Sequence, residues 1–170
     1  AGDWDRDGKV DLIVRRKSDT AVLVLHRGLG RGRFAAGTTL TTRMGGVRLL
    51  AAVGDVTGDG WPDLMGQPRN GAMMIYPGRG VAGVTAAYRA HSAVRGRGHI
   101  GVGRWDGDGS PDSIVRQRRA LVVWRGNGPG GWVSSRSYAM NARQYDWMIG
   151  ISSLNAGTHS DLVTRSRGSG

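Results

Sequence analysis

The chain has 170 residues, no cysteine and a formal net charge of +11. This length fits one domain with a buried core, and the lack of cysteine excludes disulfides and thiolate metal sites. No segment approaches the roughly 20 apolar residues that a membrane-spanning helix needs. The 30 glycines indicate many short strands joined by tight turns.

Acidic residues are concentrated in one nine-residue loop that recurs along the chain. Eleven of the 13 acids fall in its four copies, and glutamate is absent. The copies read DWDRDGKVD from Asp3, DVTGDGWPD from Asp55, RWDGDGSPD from Arg104 and SLNAGTHSD from Ser153. Loop starts are 52, 49 and 49 residues apart. A fixed period of about fifty residues is typical of propellers, solenoids and arrays.

Each period contains the same succession of short apolar segments, which are typical of buried strands. The first segment follows the acidic loop, at residues 12–14, 64–65, 114–115 and 162–163. The second ends in an aromatic ring, at residues 22–26, 73–76 and 121–124. The third follows a glycine turn and is predicted to start at Phe34, Val84 or Trp132. The fourth precedes the next loop, at residues 49–54, 100–103 and 148–151.

Four short strands per period of about fifty residues predict the blade of a β-propeller. We therefore expect an all-β fold of four-stranded blades, about three and a half of them, in a single partial propeller over residues 1–170. The repeat units are expected at residues 1–54, 55–103, 104–152 and 153–170, the last incomplete. Residues 84–95 could alternatively form a short helix, but their position in the period favours the outer strand.

The acids of the loop are spaced for binding a hard cation. In the first copy, Asp3, Asp5 and Asp7 alternate, Gly8 permits a sharp turn, and Asp11 follows. Four like charges within nine residues repel one another unless a cation neutralises them. Calcium accepts carboxylate and backbone carbonyl oxygens in irregular geometry, so the loop predicts calcium rather than magnesium.

On these motifs the chain resembles the FG-GAP or VCBS repeat family, which includes the N-terminal region of integrin α subunits. Residues 3–12 match the family pattern DxDxDGxxDL in full, residues 55–64 match it except at Thr57, and residues 28–34 match its GxGxGxF turn. The resemblance implies a calcium-binding β-propeller, commonly of seven blades, with the loop between the first and second strands of each blade. It also implies that family members are mostly extracellular.

Carried over residue by residue, the resemblance implies two to three calcium ions and three ligand sets. They are Asp3, Asp5, Asp7, Asp11 and the Lys9 carbonyl; Asp55, Asp59, Asp63, the Thr57 hydroxyl and the Trp61 carbonyl; and Asp106, Asp108, Asp112 and the Ser110 carbonyl.

The four loops match the pattern unequally, so we expect metal affinity to fall in chain order. In the third loop Arg104 replaces the first acid, and we expect it to pair with Asp106. The fourth loop retains Asp161 and Asn155, which carry too little negative charge for a metal.

No motif of the chain indicates catalysis. There is no cysteine nucleophile, no glutamate for a general-acid pair, and neither a GxSxG nor an HExxH motif. His26, His91, His99 and His159 are spread along the chain and are expected to be surface or strand residues. We therefore expect a protein that is not an enzyme.

Aromatic residues predict the ligand surface. His26, Tyr76 and Trp124 occupy the same position at the end of the second strand, and an aromatic face beside polar backbone suits carbohydrate. Packing between blades is the alternative role for these rings. We expect a secreted, calcium-stabilised module that recognises carbohydrate, as lectins do, or an extracellular protein, as an accessory domain of a larger protein. Similar propellers accompany secreted actinobacterial enzymes.

The basic charge supports an alternative function. Lys9 and Lys17 are the only lysines among 24 basic residues, so arginine carries the charge and could bind a polyanion, either nucleic acid or an acidic cell-wall polymer. The arginines are scattered in the sequence, which favours a solvated basic surface instead, and nucleic acid is not the favoured partner.

The number of predicted blades is too small for a closed ring. The remaining blades are expected from a longer parent chain or from a second copy. Ala1 leads directly into the first acidic loop, which favours a processed or excised chain.

Overall fold

The fold consists of fifteen short β-strands, without an α-helix among the described residues. The computed structural model describes residues 2–108, 110–127, 131–151, 154, 157 and 159–168. The strands are β1 (Leu12–Arg15), β2 (Leu23–His26), β3 (Gly28–Gly30), β4 (Arg33–Phe34), β5 (Thr38–Thr41), β6 (Val47–Gly54), β7 (Asp63–Pro68), β8 (Met73–Tyr76), β9 (Tyr88–His91), β10 (Gly98–Gly101), β11 (Ser113–Arg116), β12 (Ala120–Gly126), β13 (Trp132–Ala139), β14 (Tyr145–Ile151) and β15 (Asp161–Ser166). The expected all-β class is confirmed.

The strands form four antiparallel sheets in chain order. Sheet 1 contains β1, β2 and β5; sheet 2 runs from β6 to β9; sheet 3 runs from β10 to β13; and sheet 4 contains β14 and β15. Strands β3 and β4 form a separate small hairpin. Among the described residues none of these sheets closes on itself. None of the described residues belongs to a helix with the length and apolar character that crossing a bilayer requires.

In sheets 2, 3 and 4 the loop with the acidic motif joins the first strand to the second. The register repeats, since Ala52 pairs with Leu64, Ile100 with Ile114, and Gly150 with Leu162. The strand before each loop therefore belongs to the same sheet as the strand after it. For this reason the sheets extend across the unit boundaries that the sequence period suggests.

The third predicted strand is right for one unit and wrong for two. Trp132 begins β13, as expected. Phe34 instead pairs with Gly28 in the small hairpin, and Val84 forms a single bridge with Gly78. The outer strands β5 and β9 begin four residues later in both units, because the hairpin and a 3-10 turn at Gly80–Ala82 lengthen the connection. The alternative helix at residues 84–95 is wrong, since β9 lies there.

Apolar side chains form three cores, one between each pair of consecutive sheets. The core of sheets 1 and 2 includes Trp4, Leu23, Leu25 and Leu64. Between sheets 2 and 3 the core includes Met65, Met73, Ile75 and Val115, and between sheets 3 and 4 it includes Val102, Ile114, Leu121 and Val123. Burial on both faces of a sheet explains why the second and third strands are continuous apolar runs rather than alternating ones.

The first strands of sheets 2, 3 and 4 approach each other most closely. β10 contacts both β6 and β14. A Cβ atom at Gly101 would lie 1.8 Å from the Ala52 carbonyl oxygen, and one at Gly150 would lie 2.3 Å from the Gly101 carbonyl oxygen. Glycine is therefore required where these strands meet backbone to backbone.

Because neighbouring strands are antiparallel, the connections lie alternately at the two ends of the strands, which form two opposite edges of each sheet. The acidic loops and the glycine turns lie at one edge, which we call the acidic edge. The remaining connections, at residues 16–22, 42–46, 69–72, 92–97, 117–119 and 140–144, lie at the opposite edge, which we call the basic edge. Both edges are continuous between sheets: Trp4 Nε1 donates to the Gly80 carbonyl at the acidic edge, and Arg15 donates to the Val47 carbonyl at the basic edge.

Candidate metal loops and aromatic positions

The last aspartate of each complete loop is a buried acceptor of backbone hydrogen bonds. Asp11, Asp63 and Asp112 are 2%, 0% and 0% exposed. Asp63 accepts from the amides of Val56 at 2.9 Å, Thr57 at 3.0 Å and Gly78 at 2.9 Å. The three bonds fasten both ends of the acidic loop and the start of the glycine turn to one carboxylate.

The same arrangement recurs in the other two loops. Asp11 accepts from Trp4, Asp5 and Gly28, and Asp112 accepts from Asp106 and Gly126. At Gly28, Gly78 and Gly126 a Cβ atom would lie 2.3, 1.9 and 2.1 Å from a loop carbonyl oxygen. Each glycine thus brings its amide to the carboxylate by an approach that a side chain would block.

The first loop gathers three carboxylates. Ligand atoms of Asp3, Asp5 and Asp11 lie within 4.8 Å of one another. The Asp5 side chain is 5% exposed, and its Oδ1 atom is buried without a hydrogen-bond partner among the described residues. A buried, unpartnered carboxylate oxygen beside two other acids fits a divalent cation with oxygen ligands. Among the described residues no comparable group of three is found in the other loops.

In each complete loop, the aspartate at the fifth position accepts a hydrogen bond from the backbone amide of the seventh residue. Asp7 accepts from the Lys9 amide at 3.0 Å, Asp59 from Trp61 at 2.9 Å, and Asp108 from Ser110 at 2.8 Å. These turns fix the backbone of Lys9, Trp61 and Ser110, the three residues predicted to offer carbonyl ligands. They also explain why Asp7 lies apart from the cluster of Asp3, Asp5 and Asp11.

The first position of the loop also binds backbone. Asp3 accepts from Asp7 and Gly8, both at 2.9 Å, while Asp55 accepts from Gly58 at 2.7 Å and Gly60 at 2.8 Å. Thr57 donates its hydroxyl to Asp55 at 3.4 Å. The acids at this position therefore hold the loop in a tight curve.

An arginine from the glycine turn pairs with an acid in each complete loop. Arg27 pairs with Asp5, Arg79 with Asp59 at 2.5 Å, and Arg125 with Asp106. Arg27 and Arg125 directly follow the aromatic position. In the second unit Pro77 takes that place and Arg79 follows two residues later. Because Thr57 replaces the third-position acid, Arg79 reaches the fifth-position acid instead.

The predicted pair of Arg104 with Asp106 is wrong. Among the described residues Asp106 pairs with Arg125, whose guanidinium arrives from the glycine turn rather than from within the loop. Arg104 precedes Asp106 by two residues, and the backbone between them folds so that the Asp106 amide bonds to Asp112. Sequence proximity did not decide this pair.

Partners and burial shift the pKa values of these acids in opposite directions. The hydrogen bond from Lys9 lowers the pKa of Asp7, and the amide of Trp61 is the main cause of the lowered pKa of Asp59. Burial raises the pKa of Asp63 and of Asp112, although backbone hydrogen bonds offset part of the shift. At Asp106 burial opposes the change, but Arg125 and nearby amides lower the pKa.

The fourth loop retains one element of the arrangement. Asp161 accepts from the Leu154 amide at 2.7 Å, which corresponds to the bond from Trp4 to Asp11 in the first loop. Asn155, the other residue singled out in this loop, lies outside the described residues.

The three aromatic positions predicted to bind ligand do not form one site. His26 Nδ1 lies 3.2 Å from the Ala35 carbonyl oxygen. Tyr76 lines a groove of about 460 Å³ between sheets 1 and 2, together with Thr41, Arg43 and Thr85. Trp124 packs between sheets 2 and 3. The positions are equivalent within their sheets, and they are therefore separated by whole sheets.

The ring of Trp124 packs against two other rings, so it is not open to a ligand. Its ring centroid lies 4.8 Å from that of Trp132, in a stacked arrangement, and 4.8 Å from that of His91. Both indole Nε1 atoms are buried without a hydrogen-bond partner among the described residues. Trp124 and Trp132 therefore pack between sheets 2 and 3, and packing was the alternative role expected for these rings.

Two sets of residues were missed by the sequence reading. The arginines of the glycine turns are the first set. The second is the residue four positions after the last loop acid, where Arg15, Gln67 and Arg116 each donate to a backbone carbonyl of the connection that enters the next sheet, at Met44, Val94 and Ala142. The recurrence of a long polar side chain at this position in successive units was the available signal.

Comparisons with known proteins agree with the motifs. Residues 3–66 match the FG-GAP-like repeat family. No curated protein matches the chain. Among solved structures, the chain is similar to an Agrocybe aegerita lectin that specifically recognises non-reducing terminal N-acetylglucosamine, with a TM-score of 0.57 and 15% sequence identity. The similarity covers 93% of this chain and 44% of the lectin chain, so this chain spans less than half of that protein.

At this level of identity the similarity to the lectin concerns the fold alone. The family match covers the first acidic loop, the first glycine turn, the second acidic loop and the start of β7. These are the segments that carry the motifs DxDxDGxxDL and GxGxGxF. The predicted resemblance is thus confirmed over residues 3–66, which match the FG-GAP-like repeat family.

Proposed function

We propose that this chain is part of a calcium-stabilised β-propeller that acts as a secreted, non-catalytic recognition module for carbohydrate. Its four sheets are the blades, and the remaining blades come from a longer parent chain or a second copy. The packing of consecutive sheets, with their first strands side by side, supports this assembly. An extracellular protein is the other partner that such a module suits.

Calcium in the first loop is supported by the donors that lie there. Asp3, Asp5 and Asp11 offer carboxylate oxygens close together, and Asp5 can coordinate through Oδ1 while Arg27 holds its other oxygen. Asp11 can add a metal ligand to its backbone bonds because a carboxylate has about four lone-pair sites. Lys9 and Asp7 adjoin the cluster. The second and third loops are proposed as weaker sites.

Calcium is expected to stabilise the protein through the first loop. Sites of this kind bind with dissociation constants of about 0.1 to 1 mM, so 10 mM calcium adds about 2 kcal/mol. The Tm should rise by about 4 to 8 °C, as measured by thermal unfolding in calcium and in chelator. Asp3→Asn should abolish the rise, and Asp108→Asn should leave most of it. An equal rise in magnesium, or none in calcium, would contradict the proposal.

We assign carbohydrate recognition to the Tyr76 groove. The groove has an aromatic wall, the threonine hydroxyls of Thr41 and Thr85, and the cation Arg43. Its volume of about 460 Å³ is in the range of small-ligand sites. The similarity to the lectin structure supports the same class of ligand.

Filling the groove is expected to weaken sugar binding without disturbing the core. Ala86 lines the groove in an exposed connection, so Ala86→Trp should reduce affinity at least tenfold. Ala36→Trp is the control, because Ala36 is exposed in the corresponding connection of sheet 1. A glycan array followed by calorimetry with N-acetylglucosamine provides the measurement. Equal binding by both variants, or no sugar bound by the parent protein, would refute the assignment.

A further inference from the structure

The basic edge collects arginines that are distant in the sequence. Each connection at this edge carries at least one: Arg16, Arg43, Arg69, Arg97, Arg118 and Arg143. Asp19 is the one acid within these connections. Since eleven of 13 acids belong to the loops at the other edge, the fold separates charge along the strand direction.

Five arginines line one cleft of about 400 Å³ between sheets 3 and 4. Arg116 ends β11, Arg97 precedes β10, and Arg118 lies in the turn after β11. Arg143 precedes β14, and Arg167 follows β15. They come from four separate segments of the chain and meet because the ends of β11 and β15 and the starts of β10 and β14 all lie at the basic edge.

The charges of this cleft are not balanced by carboxylates. Among the described residues none of the five arginines forms an ion pair at salt-bridge distance. Arg116 donates hydrogen bonds to the carbonyl oxygens of Ala142 and Tyr145. These bonds orient its guanidinium group, but neutral carbonyls do not neutralise its positive charge. Asp146 is hydrogen-bonded to Arg165 at 2.8 Å and interacts with Arg167 only through its longer-range field. Five like charges around one space favour a bound anion.

The lining of the cleft narrows the class of anion. Arginine presents a planar fork of N–H donors that matches two oxygens of a phosphate or sulfate group. Gln117 adds an amide, but no aromatic side chain of the described residues lines the cleft, so the cleft lacks the stacking surface that single-stranded nucleic acid uses. We propose that this cleft binds a tetrahedral oxyanion, phosphate or sulfate, either free or as a monoester on a sugar.

Removing two of the arginines tests the proposal. Arg118 and Arg143 come from two different connections, are exposed, and form no side-chain hydrogen bond among the described residues. Arg118→Gln with Arg143→Gln should weaken phosphate and sulfate binding about tenfold or more, given the strength of charge-assisted bonds. Arg33→Gln with Arg136→Gln is the control, because it removes the same charge from exposed positions outside the cleft. Calorimetry with inorganic phosphate and sulfate at constant ionic strength gives the affinities.

A second pair of variants and two further ligands complete the test. Arg97→Gln with Arg167→Gln should give the same loss. A sugar phosphate that binds more tightly than inorganic phosphate identifies the monoester as the ligand, and equal binding identifies the free ion; both outcomes support the site. Equal affinity in the cleft and control variants would overturn it. Binding of duplex DNA without binding of phosphate or sulfate would also overturn it, in favour of a nucleic-acid surface.

The test is separate from that of the proposed function. The chelator and Ala86→Trp act at the acidic edge and in the Tyr76 groove, so neither should change oxyanion affinity. If the protein binds no sugar, the oxyanion proposal is unaffected. If it binds no oxyanion, the proposal of carbohydrate binding is unaffected.

Discussion

Gly101→Ala is expected to destabilise the protein by about 3 kcal/mol or more. The added methyl group would lie 1.8 Å from the carbonyl oxygen of Ala52 and 2.9 Å from its carbonyl carbon. Both atoms belong to the backbone of β6, so no side-chain rotation relieves the overlap. Strand β10 would have to move away from β6, which would loosen the packing between sheets 2 and 3.

Gly98→Ala is the matched control for this variant. Gly98 lies in the same strand, and a Cβ atom there would meet only the Cβ of Arg116 at 3.8 Å, which is an ordinary contact. Neither glycine has a positive φ angle. Gly98→Ala should therefore change the free energy of unfolding by less than about 1 kcal/mol. Similar urea midpoints for the two variants would show that β6 and β10 do not pack as closely as the structure indicates.

Asp63→Ala is expected to cost about 3 to 5 kcal/mol, even when all metal is removed. The carboxylate is fully buried and accepts three backbone hydrogen bonds, and the variant leaves those amides of Val56, Thr57 and Gly78 without their acceptor. Because the bonds join the loop to the glycine turn, both segments should loosen together. Hydrogen exchange at Gly78 would detect this loosening directly.

Asp59→Ala separates this bracing role from a metal role. Asp59 belongs to the same loop, but it is more exposed and pairs with Arg79 at the surface. In chelator, Asp59→Ala should change the free energy of unfolding by less than about 1 kcal/mol. If chelation made Asp63→Ala as mild as Asp59→Ala, the buried aspartate would act mainly through metal, contrary to the hydrogen bonds described.

Much of the fold followed from the sequence because its signals are local. The apolar runs at residues 12–14, 73–76 and 121–124 correspond to β1, β8 and β12, since short apolar runs bounded by glycine and polar residues are typical of strands. The predicted start of the third strand was wrong at Phe34 and Val84 because the signal there was ambiguous. Glycine turns can fold in more than one way, and a hairpin and a 3-10 turn replaced the expected strand start.

The loops were recognisable from the sequence, but the roles of their acids were not. The pattern DxDxDGxxD treats its four acids alike. The structure buries Asp11, Asp63 and Asp112 as acceptors of backbone bonds and brings arginines of the glycine turns to other acids. Burial and partner choice depend on which segment packs over the loop, and that segment lies 14 to 22 residues away.

The sequence by itself determined the period, the strand order, the acidic loops and the match of residues 3–66 to the FG-GAP-like repeat family. These properties depend on residue type and spacing within one unit. Only the tertiary structure decided that a side chain at Gly101 would overlap the backbone of β6, that Tyr76 borders a groove whereas Trp124 is packed, and that five arginines from four segments meet in one cleft. Each of these depends on distances between neighbouring sheets, which arise when units pack and are not encoded in any one unit.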